Sequence, residues 1–147
     1  MRVSLDSWKT IAEIASYCIG IVAVVVAVGT YRANSRRERA KWAIQLYEKF
    51  YESDHYRTMR DNFDCSADGQ AVRDIIESED SAFTDYLNFF ETVAFLVTRK
   101  QLSKDDVLSL FHYYLRCLKR HRSVMNYLNE REKGFEHLNE FLNKVEL

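Results

Sequence analysis

From Ile14 to Tyr31 the chain carries no charged residue, and Arg32, Arg36, Arg37, Arg39 and Lys41 follow at once. At a helical rise of about 1.5 Å per residue the run spans roughly 27 Å, close to the hydrocarbon thickness of a bilayer. Apolar length followed by positive charge marks a membrane helix and its cytoplasmic end. Trp8 and Tyr31 flank the run and suit its two interfaces. The reading is a single-pass membrane anchor running from Ile14 to Tyr31, with the N-terminus outside and residues 32–147 in the cytosol.

Two other readings compete for this segment. A cleaved signal peptide wants net positive charge before the apolar run, but Arg2 and Lys9 are cancelled there by Asp6 and Glu13. Ala27-Val28-Gly29 does resemble a cleavage site, whereas the basic residues just downstream hold that side in the cytoplasm. A core helix of a soluble domain is the other alternative. The stretch from Ile19 to Val28 is apolar all the way round, which a domain of this size rarely buries.

Beyond the anchor about 115 residues remain, enough for one domain with a modest core. Nine Phe, nine Tyr and two Trp supply much of it. The chain has no proline, and only Gly69 and Gly134 follow the apolar run, a composition of long helices joined by short turns. The expected class is all-α: a transmembrane helix (1–31), a juxtamembrane helix (32–53) and a helical domain (54–147). The membrane helix should continue to about Tyr51, with Trp42, Leu46, Lys49 and Phe50 recurring at helical spacing. Ser53 caps a short helix through Phe63, and 64–69 form a loop before a weak helix over 70–77. The strongest segment is 81–100, whose Phe90, Val93 and Leu96 should face the interior. Ser103 to Asp106 resembles a capping box, with Asp in place of Glu, opening a helix to about His121. Ser123 begins another short helix, and Gly134 separates it from a final amphipathic one. Cys18, Cys65 and Cys117, odd in number and scattered, read as free thiols of a cytosolic chain.

Net charge is −1, unevenly placed. Residues 32–60 hold eight basic and four acidic groups, 61–91 one against nine, and 92–147 ten against seven. The first block suits an anionic inner leaflet. The acidic block should face away from lipid or toward a basic partner surface.

Chemistry-bearing patterns are few. Cys117 and His121 share a helix face at metal-ligand spacing, but two ligands make no site, and a core thiol beside a surface histidine is the preferred reading. No nucleophile has a recognisable base or elbow, and no glycine-rich phosphate loop is present. The expectation is therefore a protein that is not an enzyme, with no cofactor and no metal. Two constellations stand out. Asn88 and Glu91 lie one turn apart on the apolar central helix, where a carboxylate needs a partner; an arginine of the next helix is expected for Glu91 and a turn for Asn88. Arg116, Lys119, Arg120 and Arg122 form a basic cluster suited to phosphate through bidentate arginine contacts, or else a solvated helix end.

The stretches Tyr86-Leu-Asn-Phe-Phe-Glu-Thr-Val-Ala-Phe-Leu-Val, Gln101-Leu-Ser-Lys-Asp-Asp-Val-Leu and Phe111-His-Tyr-Tyr-Leu resemble a large bacterial family catalogued only as a domain of unknown function. The resemblance implies one N-terminal membrane helix, a charged helix beyond it, an Asn-x-x-Glu on the central helix (here Asn88 and Glu91) and a hydrophobic helix after a short acidic turn. This chain departs from the pattern with Lys-Gln-Leu-Ser where a glycine-containing turn is usual, and with a shorter, more polar tail. In architecture alone it is also similar to membrane effectors of phage defence gated by cyclic oligoadenylates. That likeness implies a homo-oligomer binding an anionic or nucleotide ligand, and no duplex nucleic acid. Ala12, Ser16 and Gly20 repeat at the interval that lets helix backbones approach in lipid. The functional expectation is a membrane-anchored oligomeric sensor or effector, or alternatively a membrane-tethered scaffold that binds a protein without a ligand.

Overall fold

Helix α1 runs without a break over Leu5–Glu52 in the computed structural model, which describes residues 5–64, 66–78 and 81–147. The absence of proline removes the usual cause of a break, and Thr30 directs its hydroxyl to the Val26 carbonyl at 2.9 Å, so no polar group interrupts the apolar stretch. From Ala15 to Asn34 every side chain is exposed. The alternative of a core helix sheathed by its own domain therefore fails. The helix is long and apolar enough to cross a membrane, a test that a signal sequence near the N-terminus also meets. The side chains of Ala12 and Ile14 lie outside the described ones.

The chain divides into two compact units, residues 1–40 and 41–147. In the second, the last turns of α1 are followed by α2 (Asp54–Asn62), α3 (Gly69–Glu77), α4 (Ser81–Thr98), α5 (Lys104–Arg120), α6 (Arg122–Leu128), a short 3-10 turn over Arg131–Lys133 and α7 (Glu136–Lys144). No strand occurs among the described residues, so the all-α expectation is borne out.

Helix α4 is the centre of the bundle. Phe83, Tyr86, Leu87, Phe89, Phe90, Val93, Ala94 and Leu96 are all buried on it, the expected stripe of Phe90, Val93 and Leu96 among them. Phe95 stays at the surface, with the Arg99 guanidinium at 5.2 Å and the His137 ring at 5.3 Å from its ring. Around α4 pack α2 and α7, while α6 bridges α3, α5 and α7. Phe50 of α1 enters this core fully buried, with the rings of Phe89, Phe90, Phe111 and Tyr114 at 5.0, 5.4, 5.4 and 4.9 Å. The end of α1 is held by Arg60, which donates to the Phe50 and Tyr51 carbonyls and lies over both rings. A guanidinium there complements the negative helix end.

The caps explain where the helices start and stop. Ser103 accepts from the Asp106 amide at 3.0 Å, the N-terminal half of the expected capping box. Asp68 does the same for Gln70 at 3.2 Å, opening α3. Helix α4 ends two residues short of expectation, at Thr98, in a Schellman turn: Gln101 N–H bonds to Leu96 O and Lys100 N–H to Val97 O, both at 2.9 Å. Lys100 has φ +58° there, so a lysine occupies the left-handed position where the resemblance leads one to expect glycine.

The cysteines need correction. Cys18 is free and exposed, but Cys117 is disulfide-bonded and buried. His121, expected at the surface, is also buried. Cys117 and His121 share one face of the chain around α5 with Tyr113, and the turn after α2 lies against that face. Fifty residues of intervening sequence give no periodic signal of such a contact.

Candidate functional site

One member of each constellation singled out in the sequence, Glu91 and Lys119, has partners on α7. Glu91, half-buried on α4, accepts from the backbone amides of His137 and Leu138 at 3.1 and 2.7 Å. These are first-turn amides of α7, which have no partner inside their own helix. The carboxylate therefore caps a helix 46 residues away in sequence and supplies negative charge at its positive end. The expected arginine is not its partner, because the α7 terminus offers two donors in bonding geometry. Asn88 is exposed, and its backbone carbonyl accepts from the Thr92 hydroxyl at 2.8 Å.

The basic cluster divides. Lys119 is half-buried and donates to the carbonyl of Val145, the C-cap of α7, at 2.7 Å. Thus α7, only nine residues long, is held at its N-terminus by a carboxylate and at its C-terminus by an ammonium, each of the sign its dipole favours. Lys119 is structural in this arrangement. Arg116, Arg120 and Arg122 are exposed, and none is paired with a carboxylate among the described residues. Arg116 lies over the Tyr113 ring at 5.8 Å, a weak contact that leaves its donors accessible.

Beside the arginines the turn after α2 is tied to α5. Tyr113 donates its hydroxyl to the Asp64 carboxylate, and His121 Nε2 donates to the Asp64 carbonyl at 3.1 Å. Asp64 also accepts from the Ser66 hydroxyl at 2.6 Å and the Ser66 amide at 2.8 Å. The Ser66 hydroxyl, then Tyr113, then the Ser66 amide hold the Asp64 carboxyl down at about 2, with the nearby His121 adding to the effect. Nothing local in the sequence marks Asp64, Tyr113 or the buried state of His121; an Asp-x-Ser turn is the one signal that was present.

Two shallow hollows lie near α7 among the described residues. One, of about 270 Å³, is lined by Val97, Lys104, His137 and Phe141, the other, of about 400 Å³, by Asn129, Glu136, Asn139 and Asn143. Neither has Arg116, Arg120 or Arg122 on its wall. Among the described residues no three His, Cys, Asp or Glu side chains gather as metal ligands do, and Cys65, named above as a scattered thiol, lies outside them.

An apolar N-terminal helix, an aromatic α4 carrying Asn88 and Glu91, and a following amphipathic helix are the features on which the resemblance rested. A match to the family described as a domain of unknown function (DUF4760) covers residues 17–146. The chain belongs to that family. No curated protein and no solved structure matches it. Within this family member, the Asn-x-x-Glu on α4 has one visible task, the capping of α7 by Glu91.

Proposed function

We propose that the protein is a single-pass, membrane-anchored binding module whose helical domain sits at the cytosolic face of a bacterial inner membrane and takes an anionic partner on Arg116, Arg120 and Arg122. The observation that carries this reading is the set of exposed guanidinium groups without carboxylate partners among the described residues. Arginines that serve only the fold are bonded as Arg60 is, to backbone and rings. Small-molecule sites are concave, and neither of the two hollows near α7 has these arginines on its wall. That favours an acidic protein surface or another extended anion over a single nucleotide, and so favours the scaffold form of the reading over a nucleotide-gated effector. Self-association through the apolar helix belongs to the same proposal, because confinement to one membrane raises the effective concentration of the domains.

The test uses the full chain in mild detergent at low salt, with a polyphosphate chain, polyglutamate and single nucleotides as probes. A ligand that binds the native state raises the melting temperature. Both polyanions are expected to do so, single nucleotides are not, and R116A/R120A/R122A should abolish the effect. Absence of any polyanion shift, or one that survives the triple substitution, would remove the arginine surface from the proposal.

Orientation is tested separately. The basic residues after Tyr31 direct the domain inward. A C-terminal phosphatase fusion, active only in the periplasm, is expected to be silent, and a cytosolic reporter at the same position active. The opposite pair of results would place the domain outside.

A further inference from the structure

We propose that an aromatic face built by the end of α1 and the middle of α5 docks an acidic segment of another protein, one that carries apolar side chains among its carboxylates. The face starts at Ile44 and Tyr47, one turn apart on α1 and 56% and 41% exposed. From Tyr47 the rings form a connected series. Tyr51 lies 4.3 Å away, Tyr114 of α5 is 6.0 Å from Tyr51, and Tyr113 is 5.4 Å from Tyr114. Tyr113, again 41% exposed, has the Arg116 guanidinium over its ring at 5.8 Å. All six residues belong to the unit 41–147. A single exposed apolar side chain needs no explanation, but a contiguous set marks a surface that another molecule covers. Tyrosine and arginine are also the side chains that protein interfaces concentrate, because both bring large contact area with polar tips.

Charge decides the occupant. Arg116 is exposed with no carboxylate partner among the described residues, Arg120 follows it by one turn, and Arg60 lies over Tyr51 at 5.2 Å. Against these stands Glu48, one turn after Ile44, so positive charge is in excess and gathers toward α5. A second copy offering the same face would double that excess, and like charges across an interface are costly. A partner bearing carboxylates removes it, and its apolar side chains cover the rings. A simple polyanion supplies the charge alone and leaves Ile44 and Tyr47 in water. The charged half of this site rests on the arginine reading proposed above, whereas the aromatic half stands on the ring geometry.

Selection of a random-peptide library on the full chain in lipid discs, with empty discs as the counter-selection, reads the preferred chemistry directly. The recovered peptides are expected to combine Asp or Glu with aromatic or aliphatic residues, and to bind more weakly as salt rises. Ile44→Ser and Tyr47→Ser change exposed positions, so the melting temperature should stay close to wild type. Each should weaken the strongest recovered peptide about tenfold, while Tyr47→Phe, which keeps the ring, should not. Arg116→Ala should weaken it by a similar factor and flatten its salt dependence. Radical footprinting of the peptide-free chain, in discs of neutral and of anionic lipid, should label Ile44 and Tyr47 freely. Protection there would mean that lipid or a second copy already covers the face, and would overturn the proposal. So would acidic peptides that bind Ile44→Ser and Tyr47→Ser as well as wild type, a lack of acidic enrichment, or no recovery above empty discs. The polyanion shift reads the arginine surface separately: if it persists, only the aromatic site falls, and if it is lost as well, both readings fall.

Discussion

Phe50→Ala is expected to destabilise the helical domain by about 3–5 kcal/mol, the range for removing a buried aromatic ring from a core that cannot fully collapse. Its ring is fully buried and touches aromatic partners from α1, α2, α4 and α5. Deleting it removes more than apolar area. Edge-to-face and offset pairs add about 0.5–1.5 kcal/mol each beyond burial, and several are lost together. The carbonyl to which Arg60 donates is that of residue 50 itself, so the bond survives in principle while the ring beneath the guanidinium does not. The full chain in detergent, unfolded by denaturant and followed by near-ultraviolet dichroism, should show a midpoint well below wild type with an unchanged helical signal from the apolar helix. Phe95→Ala is the comparison: that ring is partly exposed and should cost far less. Equal losses for the two would show that the aromatic cluster is not the centre of stability.

Much of this arrangement was legible in the sequence because it is written locally. Lack of proline, scarcity of glycine and the apolar period gave helices within a few residues of their observed bounds, and Ser103 marked the start of α5 before its bond to Asp106 was seen. The end of α4 was less clear, because Lys100 takes a left-handed conformation that its side chain does not advertise. What could not be read was pairing at long range. Glu91 needed a partner on grounds of burial alone, but whether that partner was an arginine or a helix terminus depended on where α7 docks. Lys119 was grouped with its arginine neighbours because spacing records which side chains share a face, not which reach back into the fold. The Asp64 turn was hidden for the same reason, its contacts to α5 spanning 49 and 57 residues.

Glu91→Ala should cost about 2–3 kcal/mol, although the residue lies neither in the apolar core nor at the arginine surface. Two backbone amides of α7 donate to its carboxylate, and hydrogen bonds to a charged group are worth about 1.5–3 kcal/mol each. Glu91 is half-exposed, so water replaces part of what is lost, which keeps the sum toward the lower end. Removal also takes negative charge from the positive end of a nine-residue helix too short to persist without tertiary support. Glu91→Gln should cost less, about 1 kcal/mol, because an amide oxygen still accepts one bond while its NH2 group faces a second donor. Glu136→Gln separates the bonds from general charge: it lies in the first turn of α7, is exposed, and should change stability by only a few tenths of a kcal/mol. Amide exchange at His137 and Leu138 should rise sharply in Glu91→Ala and stay near wild type in Glu136→Gln. If the two substitutions were equal in both stability and exchange, the carboxylate would be acting as a diffuse charge, and the capping role assigned to the Asn-x-x-Glu of α4 would be wrong.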